Sequence, residues 1–466
     1  MKHDALGYWL REAGARAPLP ALDGGRLDVD VVIVGGGYTG MWSAWHLLEA
    51  EPSAKVAVLE ADRFGNGPSG RNGGFVNSLW PSIETMRERY GAGPALAVAR
   101  ESEDSVDAVG RVCSEQGVDA WYRKAGLIQV SAAPAQDATV AATVASLRSG
   151  GSEAGFRELT AAEVAERCSS PRFRGGVHFA DAATVQPARL ALGLRERLLD
   201  RGALMFERAP VRAIRESAAG VEAVTPAGTV FAPSAVLAIG GGLASSGSPL
   251  RNRLTVTSSH MVITEPVPDV LEEIGWTGGE SVYDSRAMVH YLRTTPDGRI
   301  AFGWGGGRLV CGARLGGRAE RDGEIVAQVA KDLRAFFPAL ADRDVEHAWG
   351  GPIDVSPAHL PTVTASPGGR AYAAFGYTGN GVGPSQMIGR TLASLALDRR
   401  DERSRLAFVE PEPARVPPEP LRWLGGTAIR SGLLRKERAE EDGREAGAIS
   451  RALAAVPELI GFHVGR

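Results

Sequence analysis

The sequence predicts an α/β fold in which a parallel β-α-β unit is followed by a region of antiparallel strands. Residues 29–34 form a short β-branched run without alternation, which is typical of a buried parallel strand. A helical pattern covers residues 41–50 and a second strand-like run covers residues 55–59, so the three segments make one β-α-β unit. Polar and apolar residues alternate between residues 255 and 315, which indicates half-buried antiparallel strands.

The composition is that of a globular protein large enough for several domains. The chain has 466 residues, of which 44% are hydrophobic and 23% are charged, and this excludes a disordered or fibrous chain. The net charge of −3 argues against nucleic acid or an anionic membrane as the main partner. Three dispersed cysteines without a CxxC pair predict no disulfide framework, and His347 and His359 lack the spacing of a metal site.

No membrane span or signal peptide is expected, because no stretch of 18 apolar residues occurs and charges interrupt the first residues. The sequence therefore predicts a cytoplasmic protein. Residues 1–27 are expected to be a loosely packed leader. The tail is expected to contain a Pro-rich linker and one amphipathic helix near residues 433–453 that packs on the nucleotide-binding domain.

The remaining elements are predicted from periodicity. Residues 92–170 have a mostly helical pattern, in which Val106, Val109, Val112 and Cys113 recur every three to four residues. Further helices are predicted over residues 187–201, 322–337 and from the last glycine loop to about 398. Short strands are predicted over residues 211–214, 221–224, 236–239, 257–264, 288–293, 299–304 and 372–375.

A glycine pattern follows the first strand directly and begins the first helix. In this pattern Gly35 permits a tight turn, Gly37 lets the backbone approach a pyrophosphate, and Gly40 lets helix and strand pack closely. Glu60 ends the second strand, where a carboxylate would accept hydrogen bonds from ribose hydroxyls. Strand, glycines, helix and carboxylate together predict a Rossmann-type dinucleotide site.

Three more glycine-rich segments favour FAD as the dinucleotide, because a cofactor buried along its whole length needs backbone contacts far down the chain. Residues 68–74 offer backbone amides near the pyrophosphate, and residues 236–242 end a strand that can lie against a ribose. Residues 376–384 precede a helix, whose positive end would favour the anionic reduced flavin.

With these glycine-rich segments the chain resembles the D-amino-acid-oxidase-like superfamily of FAD-dependent amine and amino-acid oxidoreductases, in particular its gamma-glutamylputrescine oxidoreductase type. The matching segments are GYWL at 7–10, VVIVGGGYTG at 31–40, LEADRFGNGPSGRNGG at 59–74, WGGPIDVSPAHLP at 349–361 and FGYTGNGVGPS at 375–385. By this resemblance the FAD contacts would fall on Gly35, Gly37, Tyr38, Thr39, Gly40, Glu60, Ser69, Gly70, Arg71, Asn72, Gly73, Gly74, Val211, Gly240, Gly379, Asn380 and Gly381.

The resemblance also implies a mainly antiparallel β substrate domain inserted in the Rossmann-type FAD-binding domain. The FAD-binding domain would comprise residues 28–110, 176–255 and 340–400, the substrate domain residues 111–175 and 256–339, and the tail residues 401–466. Relatives with covalent flavin attach it through a histidine near the second loop or a cysteine after the WGG segment. Neither residue is present here, so FAD is predicted to be non-covalent.

The predicted chemistry is oxidation of an amine or amino acid at its C–N bond to an imine, with O2 as electron acceptor and H2O2 as product. The flavin carries the difficult step in such enzymes, and the protein orients a neutral amine. Sarcosine-oxidase-like relatives use a lysine to promote the oxygen reaction, whereas residues 125–330 contain no lysine. An arginine or histidine would have to supply that positive charge, or electrons would pass to another acceptor.

Candidate catalytic and substrate-binding residues lie on the predicted antiparallel strands, in segments expected to face the flavin. His260 and His290 could accept the ammonium proton, although an ordinary strand position is the simpler interpretation of each. Tyr283, Tyr291 and Arg293 are candidates for a substrate cage or a carboxylate clamp, with ordinary packing as the alternative.

Two alternatives to an amine oxidase remain open from the sequence. A dehydrogenase of the same fold would pass electrons to a quinone or a carrier protein. A flavin-binding subunit or sensor without turnover would keep the same loops around an occluded pocket. A flavin monooxygenase would need a second nicotinamide site, and residues 65–70 lack the strand that would make one.

Overall fold

The computed structural model describes residues 2–3, 6–150, 155–245 and 247–463 of the chain. A mainly parallel six-stranded sheet with helices on it and a larger, mainly antiparallel sheet dominate the fold. A four-stranded sheet and a two-stranded sheet complete the described strands. The α/β prediction and the antiparallel region between residues 255 and 315 are thus confirmed.

The parallel sheet contains the β-α-β unit that the sequence predicts. Val31–Val34 pairs with Val56–Leu59 in parallel, and the helix Tyr38–Ala50 connects the two strands. All eight strand residues are buried, which accounts for the absence of polar alternation in both segments. The strand order across the sheet is Leu204–Phe206, Val56–Leu59, Val31–Val34, Ser234–Leu237, Ala371–Phe375 and Thr362–Ala365.

The large sheet has nine strands and supplies one wall of the cavity described below. Six of its eight strand pairs are antiparallel and two are parallel. The strand order is Lys2–His3, Val345–Val355, Thr255–Thr264, Ile300–Trp304, His290–Thr294, Ser281–Asp284, Leu127–Val130, Gly176–Phe179 and Phe156–Leu159. The helix Gly323–Phe336 packs on this sheet through Val326, Val329 and Leu333.

The two smaller sheets lie beside these layers. One contains Ala213–Ser217, Gly220–Val224, Thr229–Ala232 and Arg26–Asp28, and the other pairs Phe75–Asn77 with Ala182–Thr184. The other α-helices are Tyr8–Glu12, Ile83–Tyr90, Ala92–Glu115, Asp137–Ser149, Ala161–Ala165, Pro187–Asp200, Gly242–Ser245, Pro268–Glu273, Val382–Ala396, Leu421–Glu441 and Ala448–Leu459. None of the described helices is long and apolar enough to cross a membrane.

Three local expectations are wrong. The predicted helical region 92–170 also contains the strands Leu127–Val130 and Phe156–Leu159, because pairing within the large sheet overrides a weak helical pattern. The helix Tyr8–Glu12 within the predicted leader is not loosely packed, since Trp9 is fully buried against Trp349. The tail contains two helices, Leu421–Glu441 and Ala448–Leu459, where one was expected.

The division into an FAD-binding and a substrate domain stays a proposal, with two segments reassigned. The strands Gly176–Phe179 and Val345–Val355 belong to the nine-stranded sheet, although they were expected in the FAD-binding domain. Their backbone hydrogen bonds to Leu127–Val130 and Thr255–Thr264 hold them there. We therefore propose that both segments are part of the substrate domain.

Candidate active site

The first glycine loop has the close backbone approaches that its sequence predicts. Gly35 has a φ angle of +111°, and a Cβ atom on it would lie 2.4 Å from the carbonyl oxygen of Ala238. A Cβ atom on Gly40 would lie 2.0 Å from the carbonyl oxygen of Gly35. Side chains at these positions would separate the helix Tyr38–Ala50 from the strand Val31–Val34. Gly37 precedes the first turn of this helix, so the N–H groups of that turn lie next to the loop.

Glu60 lies beside this loop at the end of the second strand. The backbone N–H of Gly36 donates to its Oε2 atom over 2.7 Å, and the N–H of Asp62 donates to its Oε1 atom over 2.8 Å. Burial raises the pKa of Glu60, although these backbone donors oppose that shift. The carboxylate is thus fixed in the position where the sequence predicts a ribose contact.

The second glycine loop is bound to the first by a hydrogen bond. The N–H of Tyr38 donates to Ser69 Oγ over 2.9 Å, which ties residues 68–74 to the start of the first helix. Within the loop, Asn72 Oδ1 accepts from the N–H of Gly74 over 2.7 Å, and Asn72 Nδ2 donates to the carbonyl oxygen of Ser69. Asn72 therefore shapes the loop with both ends of its amide.

Residues 376–384, called the third glycine loop from here on, precede the helix Val382–Ala396 and are held by Asp354. The N–H of Gly376 donates to Asp354 Oδ2 over 2.6 Å, and the N–H of Thr378 donates to the carbonyl oxygen of Asp354. Burial raises the pKa of Asp354 to about 6, although backbone donors lower it in part. The loop also reaches the first helix, where the hydroxyl groups of Tyr377 and Thr39 lie 2.7 Å apart.

These loops form part of the wall of a cavity of about 520 Å³. The nine-stranded sheet and the two tail helices supply much of the rest of its wall, and connecting segments with Leu309, His359 and Val416 contribute as well. The predicted cofactor residues in the wall are Tyr38, Thr39, Ser69, Arg71, Asn72, Gly73, Gly379, Asn380 and Gly381. The others lie outside it, and these are Gly35, Gly37, Gly40, Glu60, Gly70, Gly74, Val211 and Gly240.

The two candidate histidines do not face this cavity, so that expectation is wrong. Successive side chains of a strand point to opposite faces, and Ser259 and Met261 line the cavity on either side of His260. His290 is likewise placed on the face opposite Tyr291. Its Nδ1 atom lies 2.8 Å from Asp284 and its Nε2 atom 3.2 Å from Asp332.

His290 therefore belongs to a buried charged cluster behind the sheet. Burial lowers its pKa, but the two carboxylates outweigh that effect, so the pKa of His290 is raised. Asp284 also contacts Arg286 over 2.8 Å, and attraction to His290 and Arg286 lowers the pKa of Asp284 in spite of its burial. The cluster lies within the nine-stranded sheet and its covering helix, and His290 does not line the cavity.

Of the three candidate substrate-binding residues, only Tyr291 lines the cavity. Its hydroxyl group lies 2.7 Å from Ser259 Oγ, and its ring packs edge-on against Phe75. Tyr283 pairs with Tyr291 across two strands but lines a separate cavity of about 30 Å³.

Arg293 is not a carboxylate clamp at the cavity. Its guanidinium donates to the carbonyl oxygens of Val185 and Gly74 and to that of Thr294. Burial lowers its pKa to about 9. The side chain lies beyond the cavity, two residues along the strand from Tyr291, and fixes the end of the second glycine loop.

Comparison with known proteins identifies the family that has this arrangement of loops. A family model described as "DAO: FAD dependent oxidoreductase" matches residues 30–395. The chain belongs to this family. The resemblance stated from the sequence is thereby confirmed, and FAD is the cofactor.

Curated relatives of this FAD-dependent oxidoreductase cover most of its length. The "Probable oxidoreductase OrdL" of Rhizobium meliloti (strain 1021) is 28% identical over 431 residues, which is 90% of this chain and 92% of that protein. Gamma-glutamylputrescine oxidoreductase of Escherichia coli (strain K12) is 28% identical over 404 residues, or 85% and 89% of the two chains.

Solved structures show the same fold. Glycine oxidase from Geobacillus kaustophilus superimposes with a TM-score of 0.66 at 21% identity and covers 81% of this chain and 96% of that chain. L-proline dehydrogenase from P. horikoshii has a TM-score of 0.66 at 18% identity and covers 84% and 96% of the two chains.

The residues of this FAD-dependent oxidoreductase fit the cofactor. The close approaches at Gly35 and Gly40 leave backbone and no side chain at the start of the first helix, as a pyrophosphate requires. Glu60 lies beside the first loop, bonded to the N–H of Gly36, and the second and third loops continue along the cavity wall. We propose that these loops hold FAD in the order in which the sequence predicts them.

Sequence reasoning missed two contributions to the site. Asp354 was quoted within the WGGPIDVSPAHLP segment but was given no role, because its partner Gly376 lies 22 residues further along the chain. The tail helix was expected only to pack on the nucleotide-binding domain, whereas Ile429, Arg430 and Leu433 line the cavity. The spacing of Leu421, Gly425, Ile429 and Leu433 at every fourth residue was the available signal.

Proposed function

We propose that the protein oxidises the CH–NH bond of an amine or amino acid to an imine, with O2 as the electron acceptor. Water then hydrolyses the imine. In the balanced reaction, one amine, one O2 and one water give one carbonyl product, ammonia or a smaller amine, and one H2O2. Bound FAD would supply the acceptor for the two electrons and the hydrogen that leave the substrate carbon.

The observation that supports this proposal most directly is the shape of the cavity. Three glycine loops for the cofactor and a mainly apolar chamber open into the same space, so a small organic molecule can lie against the cofactor without water. The names of the relatives agree with this chemistry, since they include a gamma-glutamylputrescine oxidoreductase and a glycine oxidase.

The groups of this chain that face the chamber can orient an amine. The hydroxyl groups of Tyr291 and Ser259 lie on the cavity side of the sheet and can accept a hydrogen bond from a neutral amine. Ser259 is fixed in turn by the carbonyl oxygen of Trp304, which accepts from Ser259 Oγ over 2.9 Å. No carboxylate or histidine on these two strands faces the cavity, whereas Asp354, His359 and His463 line it elsewhere. We propose that the two hydroxyl groups orient the substrate as the neutral amine.

Arg71 is the best placed cation for a reaction with oxygen. No lysine of the described residues lines the cavity, whereas Arg71 lies in its wall within the second glycine loop. The side chain is nearly buried, and Nη1 lies 3.3 Å from Glu320 Oε1. A positive charge held there would stabilise the negative charge that develops as O2 is reduced. We propose that Arg71 has the role that a lysine has in sarcosine-oxidase-like relatives.

Anaerobic reduction of the flavin tests the proposed reaction. The purified protein is mixed with pools of amines and amino acids while the visible flavin band is followed. We expect one pool to bleach the band, and air to restore it with formation of H2O2. A band that returns only with an artificial acceptor would replace the oxidase with the dehydrogenase. The absence of bleaching in protein that dithionite reduces would contradict amine oxidation and favour a flavin-binding subunit.

The non-covalent attachment of FAD is tested separately. Acid precipitation of the protein should leave the yellow colour in the supernatant, where its spectrum and chromatographic mobility identify FAD. Flavin that stays with the precipitate would show a covalent bond and contradict the prediction.

A further inference from the structure

The two tail helices form part of the wall of the cavity. Leu421, Gly425, Ile429 and Leu433 lie on one face of the helix Leu421–Glu441, and all four line the cavity. A Cβ atom on Gly426 would lie 2.2 Å from the side chain of Leu309, so the helix packs very close to the substrate domain. The family model ends at residue 395 and does not include this helix.

This helix is fixed in place at both ends. Near its start, Arg422 Nη1 donates to the carbonyl oxygens of Arg251 and Leu254 over 2.8 and 2.9 Å. Near its end, the N–H of Met288 donates to Glu437 Oε1 over 3.0 Å. Met288 itself lines the cavity. The helix is therefore an integral wall of the chamber, and its side chains can determine which substrates fit.

Arg430 is the polar side chain that this wall presents between Ile429 and Leu433. Its Nε atom donates to the carbonyl oxygen of Gly307 over 2.6 Å, and its Nη2 atom donates to that of Gly306 over 2.5 Å. These two bonds fix the plane of the guanidinium and leave Nη1 without a hydrogen bond among the described residues. The side chain is thus preorganised before any ligand binds.

Arg430 differs in charge balance from the other two arginines of the cavity wall. Arg71 has Glu320 at 3.3 Å and Arg422 has Glu419 at 2.9 Å. Arg430 has no carboxylate within 4 Å among the described residues. Burial, and next the charge of Arg308, lower the pKa of Arg430, while the charge of Asp322 opposes them. Asp322 is itself paired with Arg308 over 2.7 Å. A partly desolvated cation without a carboxylate in direct contact is a favourable place for an anion.

We propose that Arg430 binds a carboxylate that the amine substrate carries at the end remote from the oxidised C–N bond. This inference rests on the proposed amine oxidation. We assign the remote position because the bonds of Arg430 are to the Gly306–Gly307 segment and not to the strand His290–Thr294 that carries Tyr291. The apolar side chains of Ile429, Leu433, Leu309 and Met288 would surround the methylene chain between the two polar ends.

Matched pairs of substrates test this proposal in the wild-type holoenzyme. We would compare 4-aminobutanoate, 5-aminopentanoate and 6-aminohexanoate with the n-alkylamines of equal chain length. At one length or more, we expect kcat/KM to be at least about tenfold higher for the amino acid, because a charge-assisted bidentate pair is gained. Equal or higher kcat/KM for every neutral amine would overturn the proposal.

Variants then assign the preference to Arg430. Arg430→Met should raise KM for the preferred amino acid by about tenfold or more, so that the ratio of kcat/KM between the amino acid and the neutral amine falls towards one. Arg430→Lys should retain part of the preference, because it keeps the charge but loses the planar fork. Arg435→Met is the control, since Arg435 is exposed on the same helix. If Arg430→Met keeps the wild-type preference, Arg430 only anchors the glycine segment.

A binding measurement separates this inference from the proposed reaction. Hexanedioate is titrated into the oxidised holoenzyme, and its Kd is obtained by calorimetry and from the shift of the flavin band. We expect wild type to bind it at least about tenfold more tightly than Arg430→Met. If no amine reduces the flavin but this difference is found, the proposed reaction fails and the anion site stands. Equal binding by both proteins would overturn the anion site whatever the reaction.

Discussion

The hydroxyl groups of Tyr291 and Ser259 lie 2.7 Å apart although the strand Ile300–Trp304 runs between their own strands. The contact is possible because Gly303 lies between them, where a Cβ atom would be 2.2 Å from the Tyr291 ring. The tyrosine ring lies across this glycine and forms part of the cavity floor. Because Gly303 has no side chain, the hydroxyl groups of Tyr291 and Ser259 can meet in the wall of the cavity.

Tyr291→Phe should weaken substrate binding with little effect on folding. Ser259 keeps its bond to the carbonyl oxygen of Trp304, so the free energy of unfolding should fall by about 1 kcal/mol or less. KM for an amine that reduces the flavin should rise several-fold, and the flavin content should stay that of wild type. Tyr90→Phe, which loses a hydroxyl contact outside the cavity, is the control. An unchanged KM would remove Tyr291 from substrate binding.

Gly40→Ala should abolish FAD binding. The added methyl group would lie 2.0 Å from the carbonyl oxygen of Gly35, so the first helix must move away from the loop. The ratio of flavin to protein, measured from the visible and near-ultraviolet absorbance, should fall close to zero. Gly67→Ala is the matched control, because nothing lies within 4 Å of the new methyl group. Full flavin content in the Gly40 variant would contradict the assigned pyrophosphate site.

Asp354→Ala should lower the affinity for FAD by about tenfold or more, because the third glycine loop loses the acceptor of the Gly376 N–H. The Kd is measured by titrating FAD into apoprotein and following the quenching of flavin fluorescence. Asp342→Ala removes an exposed carboxylate and should leave the Kd unchanged. Wild-type affinity in the Asp354 variant would show that this carboxylate does not organise the loop.

Glu437→Gln should reduce the loss of stability at alkaline pH. Burial raises the pKa of Glu437 to about 7. Between the ordinary pKa of a glutamate and this value, Glu437 is therefore protonated in the folded state and ionised in the unfolded state. This contribution is fully present below about pH 4 and is lost as the pH rises through about 7, with an upper limit of about 3 kcal/mol. Glutamine keeps the acceptor for the Met288 N–H and cannot ionise.

Urea unfolding of both proteins at about pH 6 and about pH 9 measures this effect. The wild type should lose more free energy of unfolding between the two values than the variant. His290 contributes in the same direction, because its raised pKa gives stability that is lost as the pH rises through that pKa. Glu440→Gln on the same helix should behave as wild type, and equal losses in all three proteins would contradict the assignment to Glu437.

The sequence by itself determined the cofactor half of the protein. The residues from Val31 to Glu60 are one continuous segment, so the spacing of strand, glycines, helix and carboxylate could be interpreted locally. Tyr38–Ala50 was predicted within three residues at its start because the glycine loop marks it. The family resemblance was carried by such continuous segments and is confirmed by the match over residues 30–395.

The tertiary structure alone decided which side chains face the cavity. The alternation of a strand places His260 and Met261 on opposite faces, but both faces of this strand are covered and its last five residues are all buried. Because neither face of this strand is exposed to solvent along those residues, the polarity of its side chains does not reveal which face adjoins the cofactor. The same is true of His290, whose partners Asp284 and Asp332 are brought to it by a neighbouring strand and a helix.

The tail shows the limit of local patterns most clearly. Its helix was placed near residues 433–453, whereas Leu421–Glu441 and Ala448–Leu459 are the observed helices. The i to i+4 stripe from Leu421 to Leu433 shows that one face is apolar but does not identify what it covers. That depends on contacts with Gly306 and Met288, more than 120 residues earlier in the chain. The sequence thus determined the cofactor, and long-range packing decided the substrate chamber.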